Sequence, residues 1–178
     1  MIRLFIGENM DANDAILTRR SIRKYTKKSI TDETIKELLD AGVSAPSAGN
    51  QQPWQFIVID DRKLLDKLPT FLPNGKMLAD ADKAILVCGD LNLEKHKGYW
   101  MLDCSAATQN ILLSAHAKGL GACWLGVYPR EDRVKNLQKL FKTPENIIPF
   151  SMVSLGYPDE ESGKVDRYDD SIIHKNIW

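Results

Sequence analysis

The chain has 178 residues, 24 Lys and Arg against 24 Asp and Glu, and 43% apolar residues. That length suits one sizeable core in a single domain, and zero formal charge argues against a polyanion or nucleic-acid binder. The three cysteines, Cys88, Cys104 and Cys123, and the three histidines, His96, His116 and His174, are scattered without metal-ligand spacing. We therefore expect a reduced compartment and no metal centre. No apolar run approaches the ~20 residues of a membrane span. Met1 to Gly7 is too short for a signal-peptide core with its cleavage site. The expectation is a cytoplasmic protein without membrane contact, with one domain over residues 10–178. Met10 is an alternative start, and residues 1–9 read as an N-terminal extension.

Taken in order, Asp11 caps a short helix over Ala12 to Thr18. Thr31-Asp32-Glu33 opens a second helix, with Ile35, Leu38, Leu39 and Val43 at helical spacing. Trp54 to Ile59 reads as a buried strand, with Trp54 in the core. Asp60 or Asp61 then caps a helix through Leu64, Leu65 and Leu68. Pro69 to Gly75 is a loop, and a weak helical signal covers Lys76 to Ala81. Ala84 to Cys88 is a continuous apolar run, as a central strand requires. Tyr99 to Lys118 is the longest helical segment. It is apolar nearly all round, so it lies at the domain centre or against a partner, and Gly119 ends it.

Gly121 to Val127 is a third strand-like run whose glycines do not fit the GxGxxG dinucleotide fingerprint. Arg130 to Phe141 is an amphipathic helix. Ile147 to Leu155 is a fourth strand with Pro149 near its start or at an edge. Asp159 to Asp170 is polar and extended. The tail Ser171 to Trp178 carries Ile172, Ile173, Ile177 and Trp178, and should dock on something, a second subunit included.

Two stretches carry the chemistry. Arg19-Arg20-Ser21-Ile22-Arg23 puts three guanidiniums and a hydroxyl into five residues of a chain with no net charge. It is either a solvated basic turn or the holder of an anion. Ala45 to Pro53 is rich in Pro, Ser, Gly and Asn, so it is an irregular loop with backbone N–H groups free for a ligand.

Together with Gly119-Leu120-Gly121-Ala122-Cys123-Trp124-Leu125-Gly126 and Leu155-Gly156-Tyr157-Pro158, these stretches resemble the nitroreductase family of flavin mononucleotide (FMN) oxidoreductases. The resemblance implies an α+β fold with a mixed, largely antiparallel sheet flanked by helices. It also implies an intertwined homodimer with two FMN sites at the interface. By the same resemblance Arg19 and Ser21 reach the ribityl-phosphate, Arg20 lies on the same wall, and Arg23 faces the ring edge. A fixed cation there stabilises the charge gained on reduction. Pro46, Ser47 and Ala48 match the turn that packs on the flavin of the other subunit. Asn50 and Gln52 either hold that loop or touch FMN. Leu125 and Gly126 match backbone facing N5 and O4, although a glycine in a strand bulge would look the same. Asn74 falls where an Asn reads the pyrimidine edge. Arg167, with Lys164 second, matches a phosphate-binding cation, while Val165 stands where larger members carry another.

No side chain is assigned as catalytic, because the flavin would carry the chemistry. The implied reaction is ping-pong: hydride from NADPH or NADH, then two-electron reduction of a nitroaromatic, quinone or similar flat acceptor. The alternatives are a flavin carrier or sensor without turnover, or a specialised dehydrogenase or dehalogenase. The chain is short, and only Leu91 to Lys97 and Pro69 to Gly75 serve as modest lids.

Overall fold

A computed structural model describes residues 10–163 and 165–178. The proposed extension at residues 1–9 lies outside the described residues, as does Lys164. Four strands, β1 (Trp54–Ile59), β2 (Lys83–Asp90), β3 (Gly121–Gly126) and β4 (Ile147–Gly156), form one sheet in the order β1-β2-β4-β3. All three ladders are antiparallel, and among the described residues a parallel pairing appears only as the isolated bridge Ser21–Ala122. Five helices flank the sheet: α1 (Ala12–Thr18), α2 (Asp32–Val43), α3 (Arg62–Lys67), α4 (Trp100–Ala117) and α5 (Glu131–Phe141). This is the α+β architecture expected from the sequence.

Helix starts follow their caps. Asp11 accepts from the Asn13 N–H at 2.8 Å, Thr31 from Thr34 at 3.2 Å, and Asp61, not Asp60, from Lys63 at 2.7 Å. Gly119 closes α4 with φ +73°. The weak helical signal after Gly75 is a single 3₁₀ turn, Lys76–Ala79.

Side-chain alternation sends β2 to two cores. Ile85 and Val87 face a layer with Leu38 of α2 and Cys104, Ala107 and Ile111 of α4. Ala84, Leu86 and Cys88 face a layer with Leu65 of α3, Leu72, Leu78 and Leu137 of α5. Helix α4 therefore spends most of its apolar surface inside its own protomer, although Leu102 stays 62% exposed.

Strand β1 departs from its expected burial. It is an edge strand, with Gln55 and Val58 exposed and only Trp54 and Ile59 buried, because no other strand pairs with its outer side among the described residues. Pro149 sits inside the central strand β4, opposite Cys88, where the register slips between Val87 and Cys88. That irregularity accommodates a residue with no N–H to donate. Among the described residues the tail's apolar end is uncovered: Ile177 is 82% and Trp178 98% exposed.

Candidate functional site

The Arg19–Arg23 segment is clamped against the β3–β4 edge by two glycines. A Cβ on Gly121 would sit 2.6 Å from Cγ2 of Ile22, and one on Gly156 would sit 2.6 Å from the Tyr25 ring. Both positions need glycine because the segment passes this close. Ile22 N–H donates to the Ala122 carbonyl at 3.0 Å, and Thr26 N–H to Tyr157 at 2.8 Å. The Tyr25 hydroxyl lies 2.6 Å from the Ile22 carbonyl and 2.8 Å from Ser154 Oγ. The basic segment is therefore fixed to the sheet rather than a free turn.

A cavity of about 930 Å³ opens beside it, lined by Arg23, Asn74, Lys76, Leu125, Gly126 and Arg133, with Lys24, Asp80, Cys123 and Glu160 also on its walls. The volume is within the ~300–1,000 Å³ range of small-molecule sites. A Cβ on Gly126 would meet nothing within 4 Å, so the strand end is open to close approach. The β3 ladder is regular through Gly126, opposite Ser151, and the bulge reading does not apply there. Arg133 donates to the Gly126 carbonyl at 2.6 Å. Its Nε is buried with no hydrogen-bond partner among the described residues.

The charges of Arg20 and Arg167 both act on Arg19. The Arg19 guanidinium is held below its ordinary value by burial, then by the charges of Arg20 and Arg167. Mutually repelling cations of this kind create a demand for an anion. Arg20 is partly spent on its own chain, donating to the carbonyls of Gly163, Leu17 and Arg19 at 3.2, 3.0 and 2.7 Å. Burial pushes the Cys123 thiol up, while Arg23, the adjacent Ser21 hydroxyl and Arg19 pull the other way. Cys123 thus lies between the cationic cluster and the cavity. Glu160 accepts from the backbone N–H groups of Arg23 and Lys24 and anchors the cavity's near wall.

Pro46, Ser47, Ala48 and Asn50 are not part of this cavity. Their loop lies at the other edge of the sheet, tied to α4. Ala48 N–H donates to Asp103 Oδ1 at 2.9 Å, and Gln51 Nε2 to Asp103 Oδ2 at 2.6 Å. Gln51 Oε1 accepts from Lys95 and His96 N–H at 2.7 and 3.0 Å, binding the 91–97 loop to the same knot. Asn50 and Gln52 hold left-handed backbone, φ +52° and +47°, and Gln52 N–H donates to Ser47 Oγ at 3.0 Å. That supports a loop-shaping role for both. Of the two expected lids, the 69–75 segment lines the cavity and the 91–97 segment does not.

Sequence reasoning missed Lys76, Arg133, Glu160, Gln51 and Asp103. Asp103 carried a readable signal: a lone carboxylate inside an apolar helix is buried only when its partners are built in. Arg133 carried none, since it reads as one more charge on an amphipathic helix.

The nitroreductase family model matches residues 16–72 and 69–157. A protein of Methanothermobacter thermautotrophicus named "Putative NADH dehydrogenase/NAD(P)H nitroreductase" is 52% identical over 169 residues, 95% of this chain and 88% of that protein. A solved structure of the same name from Bacteroides thetaiotaomicron is 45% identical with a TM-score of 0.90, covering 94% of this chain and 98% of the other. An FMN-dependent nitroreductase from Clostridium difficile is 31% identical with a TM-score of 0.86, covering 93% and 99%. The family model spans most of the chain, and these relatives match it over nearly their full length, so the chain belongs to the nitroreductase family.

Proposed function

We propose that this chain is an FMN-dependent oxidoreductase that takes electrons from NADH or NADPH and reduces flat acceptors such as nitroaromatics and quinones. One juxtaposition carries the reading. The Arg19–Arg20–Arg167 cluster and the cavity bounded by Arg23, Lys76 and Gly126 meet across Cys123, which gives a phosphate end and a planar end to one ligand. The residues fit FMN: repelling guanidiniums call for a phosphate, and the open face of Gly126 admits a flat ring.

When bound, FMN supplies the two-electron chemistry that no side chain here provides. The protein's part is binding and electrostatics. Arg19, Ser21 and Arg167 hold the phosphate, with Arg20 fixing the wall they stand on. Arg23 sets positive charge at the ring edge, and Asn74 offers an amide to the pyrimidine edge. Leu125 and Gly126 present backbone to the ring, and Arg133 holds the Gly126 carbonyl in place. Donor and acceptor use the same open space in turn, which makes the kinetics ping-pong.

The site is completed by a second copy. Trp54 aligns across the sheet with Gly89 and Ile148, and Gly126 aligns with Ser151, Val87 and Phe56. Strand β1, which the Pro46–Ala48 loop leads into, and the Gly126 strand end thus lie three strand spacings apart, roughly 14 Å, and the loop does not line the cavity of its own chain. Pro46, Ser47 and Ala48 serve the cavity of a second protomer, and the exposed tail through Trp178 embraces it.

The test is an absorption spectrum of purified protein equilibrated with FMN, before and after NADH or NADPH without oxygen. A bound-flavin band that bleaches is the expected result. A bound flavin that neither dinucleotide bleaches would make the protein a carrier. Folded protein that binds no flavin would overturn the reading.

A further inference from the structure

A second, separate groove neighbours the cavity along α5 and the 71–73 segment. Phe71 precedes Leu72 and Pro73 of the cavity wall, and with Lys67 it faces Asn136, Lys139 and Leu140 of α5 across a space of about 400 Å³. Arg133 and Asn136 are one helical turn apart, so one face of α5 runs from the cavity into the groove. Arg133 to Leu140 spans about 10 Å at ~1.5 Å per residue.

The groove has a consistent chemistry. Lys67 and Lys139 supply two exposed cations, with the Lys67 ammonium 5.9 Å from the centre of the Phe71 ring. No acid lines it among the described residues. The nearby acids are engaged elsewhere: Asp66 with Arg62 at 2.9 Å, Glu131 with Lys135 at 3.1 Å and Asp132 with Arg130 at 3.7 Å. Half-buried Phe71 offers an aromatic face, and Asn136 an amide. On the neighbouring cavity's wall stand two further cations, Arg133 and Lys76. A cation pair, then an aromatic face between two further cations, matches a pyrophosphate followed by an adenosine carrying another phosphate.

We propose that this groove binds the phosphorylated adenosine half of NADPH. The pyrophosphate lies at Arg133 and Lys76, the adenine on Phe71, and the ribose 2′-phosphate between Lys67 and Lys139. The proposal rests on the reading that the cavity receives a nicotinamide dinucleotide. It adds a preference for NADPH over NADH, and it places discrimination on α3 and α5, away from the flavin ring.

The test titrates adenosine 2′,5′-bisphosphate and adenosine 5′-monophosphate into the full-length protein equilibrated with FMN, by calorimetry at low salt. The bisphosphate should bind at least roughly tenfold tighter, an advantage that shrinks as salt rises. The double variant Lys67→Glu/Lys139→Glu should erase the gap and raise KM for NADPH more than KM for NADH. Lys135→Ala, on another face of α5, should leave the gap in place. Equal affinity for the two nucleotides, or a gap untouched by the double variant, would overturn the proposal. Both lysines are exposed, so folding is not at stake, and an unchanged thermal midpoint confirms it. The titration reads nucleotide binding directly. A protein that took up no FMN would fail the flavin reading in its visible spectrum while still reporting on the groove.

Discussion

The two edges of the sheet solve opposite problems. At the β3 edge, side chains are left wanting: three guanidiniums crowd together, Arg133 Nε lacks a partner among the described residues, and Gly126 faces open space. At the β1 edge, polar groups are satisfied internally. Asp103 and Gln51 are buried; Asp103 accepts from the Ala48 N–H and the Gln51 amide and so ties the loop to α4, and Gln51 accepts from Lys95 and His96. On the proposed reading the first edge receives the ligand and the second presents a rigid surface. Unmet electrostatic demand marks the receiving half of a site, whereas a presenting half looks structurally complete.

The largest effect should come from breaking the presenting edge. Asp103→Ala leaves the Ala48 N–H and Gln51 amide unpaired and should cost ~2–4 kcal/mol of stability. Chemical denaturation would read it, and an effect within error would mean the knot is decorative. Next, Arg19→Ala at the receiving edge should weaken FMN binding roughly 10- to 100-fold, the value of a charge-assisted contact, with the fold retained. Flavin fluorescence titration measures this, and unchanged affinity would return the Arg segment to the status of solvated surface.

Two glycines sharpen the contrast within one strand. Gly121→Ala drives a methyl into Ile22 and should cost ~1–3 kcal/mol by overpacking. Gly126→Ala meets empty space and should change stability by under ~0.5 kcal/mol while weakening FMN binding. Paired melting and binding curves separate them, and similar losses of stability at both positions would deny the open strand end.

The smallest effect concerns His116, whose ring lies 2.8 Å from Thr18 Oγ1 behind the Arg cluster. Burial, then Arg19 and Arg20, hold its pKa below the ordinary value. The unfolded ring then binds a proton more readily than the folded one, so stability should fall as pH drops below about 6.5. His116→Gln should flatten that slope between pH 7.5 and 5.5, as read by thermal melts.

The sequence disclosed what local chemistry dictates. Asp11, Thr31, Gly119 and the apolar run at Ala84 to Cys88 stand where caps and a central strand were expected, because each acts within a few residues. The burial of β1 was misread, since an apolar strand looks alike at the centre and the edge of a sheet and only pairing tells them apart. Arg23, Asn74, Leu125 and Gly126, named from the motifs, line one cavity, while Arg19 and Arg167 are not on its walls. Lys76 and Arg133 escaped notice because a cation on a loop or helix surface has no local signature. Their role depends on which cavity the topology sets beside them.

The three thiols have a consequence of their own. Cys88, Cys104 and Cys123 are all buried, and burial pushes Cys88 up to about 12 and the other two upward as well. Burial disfavours the thiolate at each, so alkylation of Cys88 and Cys104 must wait for the fold to open, whereas Cys123 stands on the cavity wall. They sit on the central strand, the long helix and the β3 edge respectively. Each becomes a clock for a different part of the molecule. The order in which a maleimide marks them, with and without flavin, would reveal which layer opens first.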